Sequence, residues 1–145
     1  MYNRLLLVTV LLGASIACNK DKFETKPSFE IKNINTTEIG PGQTLIVTMK
    51  YTDAEGDLAG GQISVQKIVP QCPLSNFTDT NKYMIPNDVP VTKNQQGEID
   101  IRFPYININP FCNFNDTATF RFWVRDQNGH TSDTVTTGTI VIRRT

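Results

Sequence analysis

The sequence predicts an all-β protein, an antiparallel sandwich of two sheets and about seven strands. Three observations carry that expectation. Apolar residues recur with a period of two through most of the chain after residue 28, the alternation of a strand with one buried face. Clusters of Gly, Pro, Asn and Asp separate short segments, as tight turns require. No stretch reads as an amphipathic helix, which would need apolar residues every three or four positions.

The elements follow in chain order. A first strand is expected over Phe29 to Ile34, and Pro41-Gly42 closes the next turn. From Thr44 to Thr52, Leu45, Val47, Met49 and Tyr51 alternate with Thr44, Ile46, Thr48, Lys50 and Thr52, so the first set faces a core. Strands are expected at Gln62 to Val69 and at Lys82 to Ile85. Glu98 to Phe103 repeats the alternation with Ile99, Ile101 and Phe103 inward. Thr119 to Arg125 does so with Phe120, Phe122 and Val124 inward. The turn Asp126-Gln127-Asn128-Gly129 then leads to a last strand over Thr134 to Ile142. Such strands are stable when two sheets cover each other's apolar faces.

The N-terminus follows different rules. Leu5 to Ala17 is uncharged but short, and a membrane-crossing helix needs about 20 residues. Arg4 before it and Ala14, Ser15 and Ala17 at its end give the three zones of a secretory signal peptide. Ser15-Ile16-Ala17-Cys18 resembles a bacterial lipobox, which implies cleavage after residue 17 and lipid on Cys18. Two or three acyl chains make a durable anchor where one is marginal. Asn19-Lys20-Asp21-Lys22 resembles the export signal of Bacteroidota-type lipoproteins and implies the outer membrane, palmitate-type acylation and a surface-facing leaflet. Residues 18 to 27 lack apolar periodicity and read as a tether, leaving 28 to 145 for the sandwich.

With Cys18 lipidated, Cys72 and Cys112 form an even pair in an exported chain, and a disulfide is expected. Closing a loop of roughly 40 residues would restrict the unfolded chain by about 4 kcal/mol. Both cysteines lie beside prolines, in Pro70-Gln71-Cys72-Pro73 and Pro110-Phe111-Cys112, so the bridge is expected to pin loops and to have no redox role. Fourteen Lys and Arg balance fourteen Asp and Glu. Because the basic residues are scattered, nucleic acid is excluded as a partner.

The pairing of YTDAEGDLAG with FRFWVRDQNGHTSDTV resembles the immunoglobulin-like and PKD-like domains of secreted bacterial proteins, over most of Phe29 to Arg143. The antibody subtype, with its disulfide on facing strands against a tryptophan, does not fit. In such a sandwich the loops after the second and sixth strands share one end. Asp53, Glu55 and Asp57 would then converge with Asp126 and Asn128, an oxygen-rich set suited to calcium. The alternative is ordinary turn chemistry, in which Asp and Asn cap backbone donors.

Trp123 is expected to point outward between Arg121 and Arg125, where an aromatic beside donors suits sugar stacking. The alternative is an indole packed under an arginine or a loop. Catalysis has less support. His130 is the one histidine and no Gly-x-Ser-x-Gly elbow occurs, which leaves a hydrolase using carboxylates of the 53–57 and 126–133 loops as the enzymatic alternative. The expected function is therefore a lipid-anchored, non-enzymatic envelope module. It binds a partner or serves a structural role, with a surface glycan-binding or adhesion accessory as the competing reading.

Overall fold

A computed structural model describes residues 25–145. The leader of residues 1–17, Cys18 and most of the tether lie outside the described residues. The rest is the all-β sandwich that the alternation predicts. Nine strands run β1 (Ser28–Ile34), β2 (Glu38–Ile39), β3 (Thr44–Asp53), β4 (Gln62–Ile68), β5 (Phe77–Met84), β6 (Gln95–Pro104), β7 (Asp116–Arg125), β8 (Val135–Thr136) and β9 (Ile140–Ile142). One sheet has the order β1-β3-β6. The other has β2-β9-β7-β4-β5, with β8 also on β7.

The pairings are antiparallel apart from β2 against β9. β3 and β6 pair over their full lengths, from Thr44 opposite Pro104 to Asp53 opposite Gln95. That register places Leu45, Val47 and Met49 beside Ile101 and Phe103 on one buried face. Phe120, Phe122 and Val124 of β7, with Ile63 and Val65 of β4, face them from the second sheet. The sheets meet through rings: Phe103 lies 5.1 Å from Phe120 and 6.2 Å from Phe122, centroid to centroid. Burying a side chain of this size is worth about 1.5–3 kcal/mol, so these inward positions dominate cohesion.

Four details depart from the expectations. β5 begins at Phe77, five residues before the expected Lys82, because its polar FTDTNKYM is an edge strand that pairs only with β4 and needs little apolar alternation. The last strand is split. Thr137 accepts the Phe120 N–H on its hydroxyl and donates its own N–H to the Phe120 carbonyl, both at 2.9 Å. One extra residue thus enters between β8 and β9 and shifts the register. β2 holds two residues, too few for periodicity, yet Ile39 is fully buried. Among the described residues, helical structure is limited to α1 (Tyr105–Ile108) and a 3-10 turn at Pro73–Ser75. Both are single turns with a proline at or beside the start, shorter than any 3.6-residue pattern can reveal.

The chain enters at a defined place. Ser28 pairs with Thr52, one residue before Asp53, and Lys26 Nζ meets Asp133 Oδ1 at 2.5 Å. The described residues thus begin at the end that carries the acidic loops.

Candidate functional site

The end where residues 26–28 lie is built from two turns that fold on their own carboxylates. After β3, Asp53 Oδ2 accepts the N–H groups of Gly56 at 2.8 Å and Asp57 at 2.9 Å. Gly56 has φ +75°, and a Cβ there would stand 2.3 Å from the Thr92 carbonyl oxygen, so only glycine fits this turn. After β7, Asp126 Oδ1 accepts the His130 N–H at 2.8 Å, while Asp126 Oδ2 lies 3.2 Å from His130 Nδ1. The two turns meet. Gln127 donates its N–H to the Asp57 carbonyl at 3.2 Å and its side-chain amide to the Ala59 carbonyl, and Glu55 Oε2 is 3.5 Å from His130 Nδ1.

The structure thus places the five oxygen donors expected for calcium on two touching loops, but their roles differ. Asp126 is buried and both its oxygens serve its own hairpin. Asn128 and Glu55 are exposed. Asp53 is fully buried with Oδ1 lacking a donor among the described residues, and both carboxylate oxygens of Asp57 are out of water without one. Glu55, Asp57 and His130 each offer a ligand atom, all within 4.8 Å of one another. Burial pushes the Asp53 carboxyl above its ordinary range, and the Asp57 charge adds to this, against the opposing pull of the turn N–H groups. His130, the one histidine of the sequence, is half-buried in this hairpin.

Trp123 sits mid-strand in β7 opposite Ser64. Its neighbours Phe122 and Val124 are buried, so the indole faces outward, half-buried between exposed Arg121 and Arg125.

The far end holds what the sequence reading missed. Cys72 and Cys112 form the expected disulfide, with Cα atoms 6.1 Å apart, and it joins the loop after β4 to the loop before β7. Beneath it lies a buried ion pair, Lys67 Nζ to Asp116 Oδ2 at 2.7 Å, both side chains no more than 1% exposed. Lys67 also donates to the Ile108 carbonyl at 2.8 Å, and Ser75 Oγ donates to Asp116 Oδ1 at 3.2 Å. Burial drives the Lys67 amine below its ordinary range, and Asp116 offsets part of that. The signal was available: Lys67 occupies an inward slot after Ile63 and Val65, and Asp116 one before Ala118 and Phe120.

The same end displays large apolar side chains to water. Leu74 in the 3-10 turn is 72% exposed, Ile106 in α1 80%, Phe111 69% and Phe114 46%. The Phe111 N–H is tied to Ser75 Oγ at 2.9 Å, and Arg144 donates to the Cys112 carbonyl at 2.5 Å. These loops are held in place by the bridge, its polar ties and the buried Ile108, while the four exposed apolar groups contribute no burial.

No protein-family model matches the chain, and no curated protein is similar to it. Among solved structures it is similar to Spo0M, a sporulation control protein from Bacillus subtilis, at 13% sequence identity and a TM-score of 0.45. The match covers 83% of this chain and 50% of that one, so the chain spans half the length of that protein.

Proposed function

We propose that this chain is a lipid-anchored module of the bacterial outer membrane that binds an envelope protein and performs no turnover of its own. The observation that carries the reading is the tip formed by Leu74, Ile106, Phe111 and Phe114 at the end opposite the tether. Exposed apolar side chains gathered on a fixed scaffold mark contact surfaces. A disulfide beneath them suits an oxidising compartment. Residues 18 to 27 reach at most about 35 Å when extended, so an anchor at Cys18 keeps the acidic end near the bilayer and turns the apolar tip outward.

Two measurements test the two halves. Intact mass of the membrane-extracted protein is expected to begin at a lipid-modified Cys18, and Cys18→Ser is expected to release the chain from membranes. Material beginning at Met1 with a free thiol would remove the anchor. A photo-cross-linking residue at position 111 is expected to capture one envelope protein that position 128 does not, and Ile106→Asp is expected to abolish the adduct. Equal adducts at both ends, or none, would remove the binding surface.

A glycan-binding reading is favoured by Trp123, half-buried between two exposed arginines. Carbohydrate affinity lost in Trp123→Ala and kept in Ile106→Asp would select it.

A further inference from the structure

We propose that two copies of this chain pair through the outer edge of β6, antiparallel about a two-fold axis at Ile101, so that the β1-β3-β6 sheet of one copy continues into that of the other. What points there is the state of the sheet edges. β1 changes register between Ile31 and Asn33, β5 does so opposite Ile63 and Val65, and β2 holds two residues. Bulges and short strands are the ordinary means of keeping an edge from recruiting another strand. β6 has neither. Its ten residues, Gln95–Pro104, pair with β3 without a shift, and no described strand pairs with its other side.

The backbone groups on that side can be assigned. Just past the end of β6, Tyr105 donates its N–H to the Gln43 carbonyl at 2.9 Å, and residues of an antiparallel strand alternate between facing the neighbour and facing away. The odd-numbered residues of β6 therefore turn their N–H and C=O toward β3, whereas Glu98, Asp100 and Arg102 turn theirs to the open edge. Pro104, next in that outward series, has no N–H to leave bare. An antiparallel strand laid there meets a ladder ready to bond.

Side chains select which strand. Glu98, Asp100 and Arg102 are exposed on the outer face of the sheet. Turned about Ile101, β6 sets Asp100 opposite Arg102 of the second copy and Arg102 opposite its Asp100, with Glu98 facing Pro104. Turning about Asp100 or Arg102 sets that residue against itself, and turning about Ile99 sets Glu98 against Asp100. Like charges directly opposite are destabilising, so the axis at Ile101 is preferred.

Within one chain Arg102 Nη2 already lies 2.9 Å from Asp100 Oδ2. Pairing therefore closes a ring of acids and bases in which each charge neighbours its opposite. Exposed ion pairs are individually weak, so the charges set the register and the backbone bonds hold the strands. Asp100 and Arg102 exchange both backbone bonds with the second copy's Arg102 and Asp100, and the Glu98 N–H reaches the Pro104 carbonyl. Antiparallel pairing also points the two ends that carry residues 26–28 opposite ways. Chains anchored as proposed above would meet in this way from facing membranes.

The test is sedimentation equilibrium of the full chain in density-matched detergent, alongside amide hydrogen exchange. A monomer–dimer equilibrium is expected, with protection of the Asp100 and Arg102 amides that rises with protein concentration. Asp100→Arg and Arg102→Asp each put like charges opposite on both sides of the axis, and each should weaken dimerisation about ten-fold or more. Combining them restores both pairs, and affinity should return to within about three-fold of wild type. Both side chains are exposed, so melting temperatures should stay put. Asp100→Pro removes an outward N–H while sparing the β3 ladder, and it should weaken the dimer as well.

A chain that stays monomeric up to millimolar concentration overturns the proposal. So does a dimer indifferent to the single variants, or a combined variant no better than either alone. Protection that rises at Phe111 and not at Asp100 would place the contact at the apolar tip and overturn it too.

Discussion

At the disulfide end, Asp116 lies against Lys67 and Ser75 with both carboxylate oxygens partnered. At the opposite end of the sandwich, roughly 30 Å away, Asp53 and Asp57 hold three oxygens with no donor among the described residues. Both ends bury acid, and only one carries its own counter-charge. One end thus pairs its buried acid within the chain, whereas the other leaves carboxylate oxygens without a donor among the described residues. The disulfide end bears the exposed apolar side chains, and residues 26–28 lie at the acidic end.

The comparison can be broken most forcefully at Lys67. Lys67→Met leaves Asp116 buried and unpaired, and a loss of about 3–5 kcal/mol in denaturant unfolding is expected. Adding Asp116→Leu should recover most of that loss, because two apolar side chains leave no stranded charge. A double variant as unstable as the single one would show that the pair organises the loops in some further way. Reduction of Cys72–Cys112 is next, expected to cost about 2–5 kcal/mol and to lower the melting temperature while sparing the acidic end.

At that acidic end Gly56→Ala is expected to cost more than about 1 kcal/mol, because the new Cβ meets the Thr92 carbonyl and its positive φ is strained. A melt unchanged by this substitution would mean that the turn can rearrange freely.

The smallest effect concerns pH. Lys67 has a folded pKa below 10.5, so the folded chain holds that proton less tightly than the unfolded one. The resulting penalty is present below the folded pKa and fades as pH climbs through it toward 10.5. Stability of wild type should therefore rise across that alkaline window relative to Lys67→Met, measured by chemical unfolding at a series of pH values. Parallel curves for the two proteins would contradict the assignment of the shift to this residue.

Much of this molecule was legible before any coordinates. β3, β6 and β7 declare themselves because Leu45, Val47 and Met49, then Ile101 and Phe103, then Phe120, Phe122 and Val124 repeat at period two, and a strand offers alternate residues to alternate faces. The disulfide was expected from the even pair Cys72 and Cys112. The meeting of the 53–57 and 126–130 loops followed from sandwich topology. β5 was shortened because an edge strand needs no apolar stripe, and β2 was missed because two residues hold no period.

The charges inside the sandwich were a different matter. Lys67 and Asp116 stand at inward positions of their strands, yet alternation assigns a face, not a partner, and these two are 49 residues apart in sequence.

What the sequence determined by itself is the alternation and the turns, hence the strands, the two faces and the loops at each end, because these depend on neighbours a few bonds away. The tertiary structure alone decided which buried acid meets a base, which is left bare and which apolar residues stay in water. Those outcomes depend on contacts between segments far apart in the chain, and such contacts exist only once the two sheets have closed.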